Sequence, residues 1–214
     1  HGLFVPTVIA LHGWLNTTGE EHHQSIEEAK RRMTQAVAVG ASYIIASPPL
    51  EVADLQLGGR NYRELLELGC EVGIRPAMEF LGFVEGVNQV KHAWEVITVA
   101  NRPDSTIVLD PFHIFRGSGE IDDMRGIPAD KIAVFHFNDA PASPPRAQQT
   151  DADRVYPGDG VGPVTEVLKG LAAKEHPVAL SLELFNRTYW KQDALKVAKT
   201  GLTKMKSEVA KALA

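Results

Sequence analysis

Residues 105–113 read STIVLDPFH: a short apolar, β-branched run, an aspartate where the run stops, then a proline. The run does not alternate with polar residues, so it reads as a strand covered on both faces, as the strands of a parallel sheet are. The same pattern recurs on either side. Upstream, RPAMEFLG at 75–82 closes on Glu79; downstream, KIAVFHFND at 131–139 carries His136 near its end and VALSLELFN at 178–186 closes on Glu183. Two earlier runs, Val5–Leu11 and Ser42–Ala46, bring the expected strands to six. Helical periodicity fills the intervals. It is clear over Ser25–Val39, Tyr62–Val72, Asn88–Asn101 (with Asn88 as a candidate cap), Val164–Ala173 and from Asp193 to the end, and weak over Glu120–Arg125.

Strand and helix in alternation predict an α/β domain with a parallel sheet. A doubly wound sheet gathers its ligand site at one switch point, often beside a glycine-rich first turn, and no GxGxxG occurs here. A barrel instead draws functional residues from the carboxyl ends of many strands, and here four consecutive strands supply one each. The expectation is therefore a TIM (β/α)8 barrel. A complete one needs eight strands and about 250 residues. This chain, which opens on HGLFV without a start methionine, is expected to form one barrel domain over residues 1–214 that lacks the first two β/α units.

Composition narrows the function by exclusion. With 214 residues and 44% hydrophobic content the chain can bury a sizeable core. A formal net charge of −5 with Lys and Arg scattered among acids gives no basic stripe for nucleic acid. No apolar run approaches membrane-span length, and the first residues do not read as a signal peptide, so a cytoplasmic protein is expected. The single cysteine, Cys70, falls in an apolar helical pattern and reads as a buried thiol in a reducing compartment.

Glu79, Asp110, His136 and Glu183 together make a hard, oxygen-rich donor set with one imidazole. That set suits Mn²⁺ first, with Mg²⁺, Co²⁺ or Zn²⁺ as alternatives. Four strand-end groups of this kind, converging without an ion, would each cost several kcal/mol (roughly) to desolvate. Singly, each also has a structural reading: Asp110 as a turn cap, His136 as a core histidine, Glu183 as an arginine partner.

The segments AMEFLG, VLDPFH, VFHFND, TDADRVYPGDG (150–160) and SLELFNRTYW (181–190) resemble the xylose-isomerase-like TIM barrels of the sugar isomerase and epimerase superfamily. The last two point to its inosose-isomerase-like branch. The resemblance covers essentially the whole chain, and it implies one divalent metal held by Glu79, Asp110, His136 and Glu183. It also implies a small sugar or cyclitol as substrate, with a homo-oligomer left open. Asp110-Pro-Phe-His113 matches an Asp-x-x-His motif of related ketose epimerases, making His113 a substrate-binding candidate. Arg154, in the loop after the histidine ligand, is a second, and its planar donors suit vicinal hydroxyls or a carboxylate. Glu85, six positions after Glu79, matches a softer epimerase spacing.

Two more residues follow from position. His12, at the end of the first strand, is a candidate substrate contact with an equally weighted structural reading, and Trp14 is a candidate pocket wall. The proline-rich loop PASPPRAQQTD reads as a lid. The implied chemistry is isomerisation or epimerisation through an enediolate, with Glu79 and Glu183 as the catalytic acid/base pair. A 3-dehydroshikimate dehydratase-like lyase, a ketose 3-epimerase and a non-catalytic sugar-binding barrel remain the alternatives.

Overall fold

The computed structural model describes residues 2–214. Six strands, β1 (Thr7–Leu11), β2 (Tyr43–Ala46), β3 (Arg75–Met78), β4 (Thr106–Leu109), β5 (Ile132–Phe137) and β6 (Ala179–Leu182), pair in sequential order and all in parallel. The main helices are α1 (Gly19–Ala38), α2 (Leu55–Val72), α3 (Val90–Ala100), α5 (Val164–Ala172) and α7 (Ala194–Leu213), with short α4 (Pro111–Arg116) and α6 (Arg187–Trp190) between them. Among the described residues, no helix is long and apolar enough to cross a membrane.

The two faces of the sheet differ. Ile44, Met78, Ile107, Leu109, Phe135 and Phe137 join one cluster with the buried residues of α1, α2, α3 and α5. Ala10, Ile45, Ala77, Val108 and Val134 form a second cluster made of strand residues alone. Helices therefore cover one face only, which is the barrel arrangement and excludes the doubly wound one. Six strands are present of the eight that a closed barrel has.

Period-two alternation then places the site. Two residues beyond Ala77, Val108 and Val134 stand Glu79, Asp110 and His136; four beyond Ala179, which packs against the same cluster, stands Glu183. All four share the helix-free face. Glu79, Asp110 and Glu183 each occupy the first position past a hydrogen-bonded strand, whereas His136 lies inside β5.

Several expectations are corrected. Helix α2 starts at Leu55 rather than Tyr62, because Asp54 caps it by accepting from Gln56 N and Leu57 N. The glycines that hid this start are there for close packing. A Cβ on Gly58 would fall 2.8 Å from the Leu15 side chain, and one on Gly59 2.3 Å from Val99. The helix after β4 is α4, begun by Pro111 directly behind Asp110, and Ile121–Met124 is only a 3-10 turn. Helix α3 starts after Gln89, not on an Asn cap; the Asn88 side chain donates instead to Val84 O. Cys70 is exposed, since Leu65, Leu66, Leu68 and Gly69 take the buried side of α2. Trp14 is fully buried on the helix side, 5.8 Å from the Tyr62 ring, and walls no pocket.

Candidate metal centre

His136 is the hub. Its ring is buried, with Nδ1 3.3 Å from Glu79 Oε1 and 3.1 Å from Glu183 Oε2. Neither contact has hydrogen-bond alignment, so Nδ1 is a buried polar atom without a partner. Donor atoms of Asp110, His136 and Glu183 all lie within 4.8 Å of one another. An ion about 2.0–2.2 Å from each ligand would leave donors at most ~4.4 Å apart, close to the spacing these three groups already have. Two carboxylates and an unpartnered imidazole nitrogen converging on one point fit a divalent ion, and Glu79 flanks the same nitrogen.

The neighbours orient these groups. Ser47, the residue after β2, donates from Oγ to Glu79 Oε2 at 3.1 Å. Asn138 donates from Nδ2 to Asp110 Oδ2 at 3.0 Å while its Oδ1 accepts from Phe112 N at 3.2 Å. Asp110 Oδ1 accepts from His113 N, so the aspartate caps α4 with one oxygen and faces the cluster with the other. Partners of this kind fix the orientation of metal-binding side chains.

Arg154 reaches into the same cluster and is fully buried. Its Nη1 donates to Glu183 Oε2, and its Nη2 lies 2.7 Å from Asp151 Oδ1, 2.8 Å from His113 Nε2 and 3.4 Å from Asp110 Oδ2. The backbone places it there: Asp139 and Val155 form an antiparallel bridge with both N–H···O distances at 3.0 Å, and Asn186 Nδ2 holds Arg154 O at 3.0 Å.

Proton affinities follow from these contacts. Burial pulls His136 toward its neutral form, but the Glu183 and Glu79 carboxylates outweigh it and raise its pKa. Burial would raise Glu183, yet the His136 imidazole and the Arg154 guanidinium outweigh that and hold it well below the usual carboxylate range. Burial is also the main influence on His113, which it lowers, keeping the ring neutral beside Arg154.

Of the expected site residues, Glu79, Asp110, His136, Glu183, His113 and Arg154 converge. Glu85 does not join them, and His12 stands at their edge, near enough for the Glu79 carboxylate to act on it. Glu85 is exposed in the loop after β3, where its backbone N–H bonds Leu50 O. His12 has the parity of Ala10 but is exposed, and it makes no hydrogen bond among the described residues. Ser47, Asn138 and Asp151 were not anticipated. Ser47 and Asn138 stand two residues beyond Ile45 and His136, so strand parity was the available signal.

The rim is tied down. Arg116 donates from Nε to Gln149 O at 2.8 Å, from Nη2 to Ala147 O at 2.8 Å and from Nη1 to Gly82 O at 3.4 Å. The proline-rich segment expected as a lid is thus stapled to α4. Beside Asp151 opens a cleft of about 580 Å³ lined by Phe83, Phe185, Arg187 and Trp190.

Comparison with known proteins agrees with this architecture. The profile described as xylose isomerase-like TIM barrel matches residues 1–208. An inosose isomerase from Halalkalibacterium halodurans is 31% identical over 189 residues, covering 83% of this chain and 66% of its own length. One from Bacillus subtilis is 28% identical over 196 residues, covering 86% and 69%. A crystal structure of an IolI protein with a bound zinc atom superposes with a TM-score of 0.87 at 26% identity, covering 97% of this chain and 77% of that one. The chain spans about two thirds of the length of the curated relatives it matches. With the profile match running over nearly its whole length, the chain belongs to the xylose isomerase-like TIM barrel family.

Proposed function

We propose that this chain carries the active centre of a cytoplasmic, divalent-metal-dependent isomerase or epimerase that acts on a small polyhydroxylated ketone, a sugar or a cyclitol of the inosose kind. The observation that carries the reading is the His136 nitrogen, buried and unpartnered, between the Glu79 and Glu183 carboxylates with Asp110 beside them. Glu79, Asp110, His136 and Glu183 would hold the ion, with Mn²⁺ first and Zn²⁺ close behind. A divalent ion bound there supplies Lewis acidity, polarising a substrate carbonyl and acidifying the neighbouring C–H.

The protein's own groups do the rest. Glu79 and Glu183 flank His136 from strands on either side of β5, so they bracket a substrate carbon with one acceptor and one donor of a proton, the pair an enediolate route needs. The two are unequal. Glu79 meets only the Ser47 hydroxyl and the His136 ring, while Glu183 is also held by Arg154. Glu79 is therefore the freer base in this arrangement. Arg154 and the neutral His113 supply donors for substrate oxygens, and Arg154 turning to the substrate releases the ionised Glu183, which can then take up a proton before returning it to carbon.

The test is proton exchange in D₂O, followed across inososes, ketohexoses and dehydroshikimate. Label entering an inosose, lost on chelation and restored by Mn²⁺ or Zn²⁺, is the expected result. Undiminished exchange in the chelated protein would sink the metal role, and exchange confined to dehydroshikimate would favour a lyase.

A further inference from the structure

Asp139 is buried and pairs with no cation among the described residues. Its carboxylate instead accepts four backbone N–H groups: Ala140 and Gly162 on Oδ1, both at 2.8 Å, and Gly158 and Gly160 on Oδ2, at 3.0 and 3.1 Å. A charge taken out of water must be satisfied in some such way, and four charge-assisted hydrogen bonds do so. The turn is shaped around it. A Cβ on Gly160 would lie 2.2 Å from Ala140 O and 2.6 Å from Asp139 Oδ1, and one on Gly162 2.7 Å from the same oxygen. The glycines of PGDGVG are thus the condition for folding residues 156–162 onto one carboxylate.

That carboxylate sits at the root of the segment that carries Arg154. The Asp139 backbone pairs with Val155 in both directions, and Val155 follows Arg154 directly. Beyond the pairing, the turn returns so that Val161 N bonds Ala140 O at 2.7 Å. The loop is clamped directly after Arg154 by Asp139, and the Asn186 amide holds the Arg154 carbonyl of the same peptide.

We infer that Asp139 is a positioning residue: through the glycine turn it fixes the backbone at Val155 and so holds the Arg154 guanidinium against His113, Asp151 and Glu183. Its effect on turnover rests on the reading of Arg154 as a substrate contact, while its effect on Arg154 itself does not. Asp139→Asn keeps the shape but turns one acceptor oxygen into a donor facing backbone N–H groups. It loosens the turn without contacting the four candidate ligands, three of which stand just past their strands and one within β5.

The experiment compares wild type, Asp139→Asn, Arg154→Ala and the double variant by inosose proton exchange, metal content and the ¹⁵N-labelled Nε–H resonance of Arg154, assigned by its loss in Arg154→Ala. Expected for Asp139→Asn are KM higher by about 10- to 100-fold, unchanged metal content, a shifted or broadened Arg154 resonance, and no further loss in the double variant. An unchanged resonance, or a full additional loss on top of Arg154→Ala, overturns the inference. If Arg154→Ala leaves KM unaltered, the substrate role of Arg154 fails, and the resonance alone decides the positioning. Should Asp139→Asn not fold, Gly160→Ala displaces the same carboxylate and is read in the same way.

Discussion

The two faces of this sheet are built by the same strands from alternate residues, yet they do different work. On the helix side stand Ile44, Met78, Ile107, Leu109, Phe135 and Phe137, large side chains interlocked with α1, α2, α3 and α5. On the other stand Ala10, Ile45, Ala77, Val108 and Val134, after which the same parity delivers Ser47, Glu79, Asp110 and His136. Bulk on one face holds the strands in register, so that the polar ends on the other converge. Stability and chemistry should therefore be separable by substitution.

The sharpest break is expected at the polar ends. Glu183→Gln should cut inosose proton exchange about 10²–10⁴-fold while the protein still binds metal and unfolds at the same denaturant concentration; near-native exchange would remove Glu183 from the acid/base pair. On the opposite face, Phe135→Ala deletes a fully buried ring and should cost about 3–5 kcal/mol in urea unfolding. Metal affinity of the folded fraction should stay as it was. If instead the affinity collapsed with stability, the two faces would not be independent.

Gly59→Ala comes next. Its methyl would be driven into Val99 at the α2–α3 contact, and a loss of about 1–3 kcal/mol is expected, with activity per folded molecule preserved. A wild-type midpoint would show that α3 yields freely. The smallest effect belongs to Ser47→Ala. Losing the hydroxyl on Glu79 should weaken metal binding about tenfold and leave the unfolding curve in place. A metal titration showing no change would mean that Glu79 is oriented by other groups.

Most of the architecture was legible because buried parallel strands leave a plain signal, an apolar run closed by one polar residue. The four candidate ligands were readable for a related reason: each has a structural reading alone, and only their recurrence at the ends of four successive buried runs sets them apart. What the sequence hid was context. Gly58 and Gly59 looked like breakers and concealed the first two turns of α2, since only the positions of Leu15 and Val99 explain them. Pro111 concealed α4, because a proline after a strand reads as a stop until Asp110 is seen to cap the helix it starts. Glu85 was read from spacing, a criterion that does not register whether a loop turns its side chain toward solvent. Asp139 carries no unusual motif spacing. Its importance shows only when the chain brings Gly158, Gly160 and Gly162 back onto it.

The Arg116 staple bears on how anything enters. One guanidinium binds carbonyls of the loop after β3 and of the segment after β5 while standing itself on the helix after β4. Three neighbouring loops are thereby mechanically ganged, and none can swing outward alone without giving up hydrogen bonds to the same planar group. The β6 side, where Phe185, Arg187 and Trp190 are exposed, lies outside this linkage.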